Sequence, residues 1–231
     1  MVTAGIPLAR SRFADARWLV VAPHPDDETI GAGALIAQTA AAARLAAVVY
    51  VTDGAGSHPV ATAAARARLV RCRAREAREA VARLSGASAP ALWFVGWGDG
   101  NPPAATTPRF RAAVRRLATL LVRERVDAVA VTAGDETHCD HVAAHALVVA
   151  AAAAAHRDVA VFAYRVWGGA MPRAPRPPLV TAAMPVGRRR HALLAHRSQM
   201  GAALGPGFRV PARLRRPPAR DRLFPCGRHA A

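Results

Sequence analysis

The chain has 231 residues, and at roughly 150 residues per domain that allows one or two domains. Hydrophobic residues make up 52% and charged residues 20%, enough apolar material for a sizeable core, which excludes disorder as the overall state. The 32 basic residues outnumber 15 acidic ones for a formal net charge of +17, and every one of them is arginine, as a coding bias toward G and C would produce without any selected partner.

In chain order, β-rich apolar runs at Trp18–Ala22, Ala46–Thr52, Leu92–Val95, Ala128–Thr132 and Val159–Tyr164 alternate with helical patterns. The helical stretches lie at about Asp27–Ala43, Val60–Leu84, Pro108–Arg125 and His141–Ala155. Such alternation predicts βαβ units and a parallel sheet covered on both faces. Runs such as WLVVA and AAVVYV lack the in-out alternation of a half-exposed strand, which fits burial on both sides. The expected fold is a Rossmann-like, three-layer α/β fold with a mostly parallel sheet. After about Val166 Pro and Arg accumulate, in MPRAPRPP and RLRRPPARDR, around one short helical piece at Arg188–Met200. One domain is therefore expected over 1–231, with a core of about 16–166. An irregular extension over about 167–231 packs on that core, being too poor in apolar residues to fold alone.

Cys72, Cys139 and Cys226 are far apart and odd in number, so they spell neither a disulfide framework nor a metal knuckle. That usage fits a reducing, cytoplasmic setting. The first residues lack a basic segment followed by an apolar one, so no secretory signal is expected. The most apolar stretch, Val142–Ala155, is mostly Ala, is interrupted by His145, and falls short of the roughly 20 apolar residues of a membrane span.

In open α/β sheets the loops at the carboxyl ends of the strands build the site. Here those loops are Pro23–Glu28, Asp53–His58, Gly96–Pro103 and Ala133–His141, and each carries His, Asp or both. The first reads VVAPHPDDETIGAG. Its His24 and Asp27, three apart, would face one side of a first helical turn and supply two ligands to a borderline cation. Asp26 faces elsewhere and is placed to hold a proton. The same residues also suit a plain helix start, with Pro25 at the first position and Asp26, Asp27 and Glu28 near the positive dipole end. The second cluster, GDETHCDHVAAH, offers His138 with His141 or His141 with His145, and spacing does not choose between them. Two His and one carboxylate serve zinc hydrolases and also non-haem iron oxygenases.

These motifs resemble the PIG-L/LmbE-like family of metal-dependent N-deacetylases. The family's HPDDE stands as His24-Pro25-Asp26-Asp27-Glu28, followed by Gly31 and Gly33, and its HPDH appears as His138-Cys139-Asp140-His141. Thr52-Asp53-Gly54, Arg73 with Glu76, Asp99-Gly100, and the A-x-x-x-H-x-S-Q element at 192–199 match in order, so the likeness runs from about Val20 to Gln199. Cys139 stands where Pro is usual, and Arg replaces a Lys ahead of the last element.

The resemblance implies a metal held by His24, Asp27 and His141, zinc first and iron as the alternative. It implies Asp26 as general base and His138 as the group assisting the oxyanion or the leaving group; if protonated, His138 would add a charge-assisted hydrogen bond to the oxyanion. Asp140 would orient a neighbouring His, and Arg73 and Asp99 match positions that contact the sugar in some relatives. His145 has no family role and reads as a helix-surface His. The implied reaction is hydrolysis of an N-acetyl group on an amino-sugar-containing small molecule, a glycoside or glycoconjugate. Within the family the alternatives are amidases on sugar–thiol conjugates and tailoring enzymes of natural-product glycosides.

Two rival classes fit less well. A dinucleotide-binding turn fails because Gly31-Ala32-Gly33 has no third Gly three residues on, and HPDDE fills the turn a pyrophosphate needs. An Arg-rich nucleic-acid binder is suggested by the charge and by the Arg runs at 66–78, 188–190 and 213–222. Only 5% of residues are aromatic, however, so salt-sensitive adhesion without sequence preference is expected, not specific recognition.

Overall fold

A computed structural model describes residues 5–86, 90–168, 176–201 and 204–226. In chain order these form β1 (Ile6–Pro7), β2 (Trp18–Ala22), α1 (Asp27–Ala41), β3 (Leu45–Thr52), α2 (Ala63–Ser85), β4 (Ala91–Trp97), α3 (Pro108–Arg123) and β5 (Ala128–Thr132). Then follow α4 (Cys139–Ala154), β6 (Ala160–Tyr164), β7 (Leu179–Val180), α5 (Arg188–Leu193), α6 (Arg197–Met200) and β8 (Arg222–Pro225). The strands make one sheet in the order β1-β7-β8-β6-β5-β2-β3-β4. From β6 to β4 all neighbours are parallel.

Side chains alternate between two apolar layers. Trp18, Val20, Val48, Tyr50, Ala130 and Phe162 face α1, α2 and the C-terminal segment, while Leu19, Val21, Val49, Val51, Val129 and Val131 face α3 and α4. Both faces are therefore covered, which is why β2 and β5 are buried at every position. The three-layer α/β arrangement expected from the alternation of elements is the one observed. Among the described residues no helix is long and apolar enough to cross a membrane.

The extension adds more regular structure than its composition suggests. β8 runs antiparallel to both β6 and β7, and β7 pairs in parallel with β1, so chain segments from both ends finish one edge of the sheet. The expected helical piece at Arg188–Met200 is two short helices with a break at Leu194–His196. Of the Pro/Arg run that starts at Met171, residues 171–175 lie outside the described residues.

The chain proceeds from β2 to β3 and β4 on one side, then crosses back to β5 on the other. The strand order thus reverses at β2, and the loops after β2 and β5 flank that switch point, the usual place for a site in such sheets. Close packing there depends on Gly31, where a Cβ would lie 2.3 Å from the Tyr164 ring. The Tyr164 hydroxyl donates to the Val21 carbonyl (2.9 Å), which pins β6 to β2 just below the site.

Candidate active site

Four residues separate β2 from α1: His24 and Pro25 lie in that loop, so Pro25 is not the first helical residue, Asp26 is the cap, and Asp27 and Glu28 open the first turn. Asp26 has φ 138°, a conformation that costs a non-glycine residue energy. Its carboxylate is buried, as are Asp27 and Glu28. On the other side of the switch point, His138 caps α4 and His141 lies one turn in, fully buried. Cys139 occupies the first helical position where Pro is usual, and the helix starts there all the same, with His138 Nδ1 accepting from the Asp140 backbone N–H (3.3 Å).

Three atoms converge. Asp27 Oδ2 lies 3.0 Å from His24 Nδ1 and 3.3 Å from His141 Nε2. The far side of each imidazole is held by a carboxylate: Asp140 Oδ2 sits 2.9 Å from His24 Nε2, and Glu136 is bonded to His141 Nδ1. With protons on those far nitrogens, His24 Nδ1 and His141 Nε2 turn lone pairs toward Asp27. His141 Nε2 is buried and has no hydrogen-bond partner among the described residues. Such a set favours positive charge at its centre. Burial works against protonating His24, but hydrogen bonds to Asp140, Asp27 and Asp99 outweigh it and raise its pKa well above normal. Burial is likewise overcome at His141, where the Asp27 charge leads in pushing the pKa to about 9. Asp27 itself, despite a burial penalty, is held well below the carboxylate range, chiefly by His141. Two imidazole nitrogens, that of His141 fully buried, and an ionised carboxylate are a fitting donor set for a divalent cation.

A second grouping, His24 with Asp99, His138 and Asp140, is also close enough to share a cation, and it uses the opposite nitrogen of His24. There the acceptors are accounted for: Asp140 also takes the Gly100 N–H (2.8 Å) and Asp99 the Gly56 N–H (3.0 Å). The carboxylate of the first grouping is engaged in the same way, Asp27 Oδ2 taking the His24 backbone N–H (3.0 Å), and that grouping is the more deeply buried of the two.

Asp26 and His138 flank the cluster. Burial, with the Asp27 charge beside it, pushes Asp26 up to about 7 against the pull of Arg73. Burial and the nearby His24 charge lower His138, so its uncharged imidazole is favoured at neutral pH. Since Nδ1 of His138 accepts a hydrogen bond, Nε2 carries the proton and is a donor.

Arg73 is buried beneath the site. Its two terminal nitrogens donate to the carbonyls of Gly54 (2.7 Å) and Pro25 (2.6 Å), and each lies 3.8 Å from a carboxylate, Asp99 or Asp26. Gly54 allows this approach: it has φ +67°, and a Cβ would come within 2.7 Å of Arg73 Nη1. Asp99 also reaches His24 Nε2 (3.3 Å). The structure thus gathers His24, Asp26, Asp27, His138, Asp140, His141, Arg73 and Asp99 into one site. His145 stands apart, its Nδ1 against the Thr132 carbonyl (3.1 Å).

Three further buried residues support the site, and the sequence assigns none of them a part in it. Glu136 holds His141 and also takes the backbone N–H groups of Val166 (2.7 Å) and Trp167 (3.2 Å). Glu28 takes the Asp26 N–H (2.9 Å), and His196 reaches Glu28 from the C-terminal segment (3.2 Å). The sequence signal for Glu136 is its place in the GDETHCDH loop. Glu28 and His196 were visible as motif letters without a partner.

The family model described as PIG-L, GlcNAc-PI de-N-acetylase, matches residues 19–152, more than half of the chain. No curated protein matches it. Among solved structures, N,N'-diacetylchitobiose deacetylase from Pyrococcus horikoshii superposes with a TM-score of 0.65 at 19% identity, covering 89% of this chain and 75% of that one. The A40926 pseudoaglycone deacetylase gives 0.66 at 19% identity, covering 94% and 99%. A conserved protein from Thermus thermophilus gives 0.59 at 26% identity, covering 83% and 82%. These likenesses establish the fold.

Proposed function

The chain belongs to the PIG-L (GlcNAc-PI de-N-acetylase) family, and from that premise we propose that it is a metal-dependent N-deacetylase acting on an amino-sugar-containing small molecule. The observation that carries this reading is the convergence of His24 Nδ1, Asp27 Oδ2 and His141 Nε2 beside a buried carboxylate, Asp26, that titrates near neutrality. Two structural neighbours that are deacetylases by name support an acetylated saccharide or glycoside as substrate.

His24, Asp27 and His141 would hold the cation, zinc in the first instance and iron as the alternative. When bound, it would polarise the amide carbonyl and lower the pKa of the attacking water. The residues of the chain handle the protons. Asp26, ionised, takes a proton from water as the new C–O bond forms. His138 donates its Nε2–H to the carbonyl oxygen as that oxygen gains charge, and one such donor is worth about 3 kcal/mol. The C–N bond then breaks, Asp26 returns the proton to the departing amine, and acetate and free amine leave. Arg73 and Asp99 close the floor of the site and are assigned to substrate positioning. Uncharged His138 is the form suited to this role, because it donates without adding a repulsive charge to the cation site.

The test is metal analysis beside release of free amine from a panel of N-acetyl sugars, with sugar–thiol conjugates and acylated glycosides as further arms. About one zinc or iron per chain is expected, with activity lost on chelation and restored by metal. Full activity after exhaustive chelation would overturn the metal role. No amine from any arm would overturn the deacetylase reading.

A further inference from the structure

The peptide unit that joins Pro25 to Asp26 is gripped at both polar ends. Arg73 Nη2 donates to its carbonyl (2.6 Å), and Glu28 Oε2 accepts its N–H (2.9 Å). This peptide carries the strained backbone of Asp26, and strain of this kind persists only where the surroundings over-determine it. Each grip is itself braced from the break between α5 and α6 and the turn that follows. His196, fully buried, places Nε2 3.2 Å from Glu28 Oε1. Two residues on, Ser198 donates to Glu76 through its backbone N–H (2.9 Å) and its hydroxyl (2.6 Å). Glu76 stands one turn from Arg73 on α2, so the second brace fixes the helix that aims the guanidinium.

We propose that His196 is a positioning residue for the reaction: by donating Nε2–H to Glu28 it fixes the carboxylate that holds the Asp26 N–H, and so sets the direction of the Asp26 side chain. His196 Nδ1 has no hydrogen-bond partner among the described residues, which leaves Nε2 as the nitrogen committed to a contact. Without that donor, Glu28 Oε1 keeps the Thr29 hydroxyl, a neighbour in the same turn that moves with it, and the buried Tyr50 hydroxyl stays beside the carboxylate, but the tie to the C-terminal segment is lost. The first turn of α1 would then relax toward ordinary dihedrals, carrying the Asp26 carboxylate away from the water it must deprotonate. The inference rests on the deacetylase reading for its kinetic consequence, but not for its structural one.

The experiment compares wild type, His196→Ala, His196→Gln and Asp221→Asn. Gln can place an amide N–H where Nε2 stood. Asp221 accepts from Arg189 and from the Leu35 N–H, and anchors the same C-terminal segment away from the site, so its variant reports loosening alone. Turnover, KM, metal content and exchange of the Asp26 amide proton are read on the same preparations. His196→Ala should lose about 10- to 100-fold in kcat, the range for a slightly misplaced catalytic group, with KM and metal content near wild type. Its Asp26 amide should exchange at least about tenfold faster, as a local hydrogen bond is lost. His196→Gln should recover most of both, and Asp221→Asn should show neither. A His196→Ala enzyme with near-normal kcat, an unchanged Asp26 amide, or a loss that tracks metal or is shared by Asp221→Asn would overturn the proposal. If wild type itself releases no amine while the exchange pattern is as expected, the positioning stands and the deacetylase reading falls.

Discussion

The loops after β2 and β5 each give one imidazole to the same cluster, yet they are built differently. The β2 loop is sunk in the protein, with Asp26, Asp27 and Glu28 all buried and the backbone held out of its usual range. The β5 loop ends in an ordinary helix cap, and its His138 is half-buried, its side chain 38% exposed. The two proton-handling groups are nonetheless moved by one cause. Burial penalises the charged form, so it raises the acid Asp26 and lowers the base His138, and in both it favours the uncharged state. A deep carboxylate and a shallower imidazole are two solutions to the same requirement.

The sharpest way to break this comparison is inside the β2 loop, where adjacent carboxylates are given different duties. Asp27→Ala removes the oxygen shared by both imidazoles, and both metal and activity should fall to background. Asp26→Asn should keep its metal and lose about 10²- to 10⁴-fold in turnover, the usual cost of removing a general base. Metal content and turnover measured on the same preparations decide it; loss of metal from Asp26→Asn would mean the two carboxylates share one role.

Across the site, a smaller effect tests the supports. Glu136→Gln and Asp140→Asn each weaken the carboxylate that fixes a ligand imidazole, and each should cost about 10- to 100-fold in metal affinity. Titration with a metal buffer measures this, and excess metal should restore most of the activity of both. If only the Asp140 variant responds, the β5 loop is held by its helix alone.

The smallest effect is on stability. The folded pKa of Asp26, about 7, lies above the ordinary carboxylate value, so its buried charge costs stability above pH 7. That cost shrinks as pH falls through 7 and is gone near 4. In chelator, Asp26→Asn should therefore be more stable than wild type by about 1–3 kcal/mol at pH 8, with the gain narrowing by pH 5. Thermal midpoints at the two pH values check it, and an equal gain at both would point to backbone relief instead of charge.

Much of this was legible in the sequence for identifiable reasons. Trp18–Ala22 and Ala128–Thr132 were read to the residue, because a parallel strand buried on both faces is an unbroken apolar run between polar loops. The loops that carry His24, Asp99 and His138 followed from the rule that sites form at carboxyl ends. What escaped was long-range pairing. β7 and β8 are two and four residues long and flanked by Pro and Arg, so no periodicity marks them. Glu28 meets His196 across 168 residues and Glu76 meets Ser198 across 122, and no spacing rule reaches that far.

The shared sheet edge has a consequence for how the chain matures. β1 cannot pair until β7 exists, and the Leu35 N–H waits for Asp221, 186 residues later. A nascent chain can lay down β2 to β6 and their helices as they emerge, but β1 and the Leu35 turn of α1 remain unfinished until the segment from β7 to β8 has been made. Contacts of such separation close slowly, because the loop entropy is lost before the contact returns anything. The brace on the strained turn at Asp26 is itself a contact of this kind, since His196 lies 168 residues beyond Glu28.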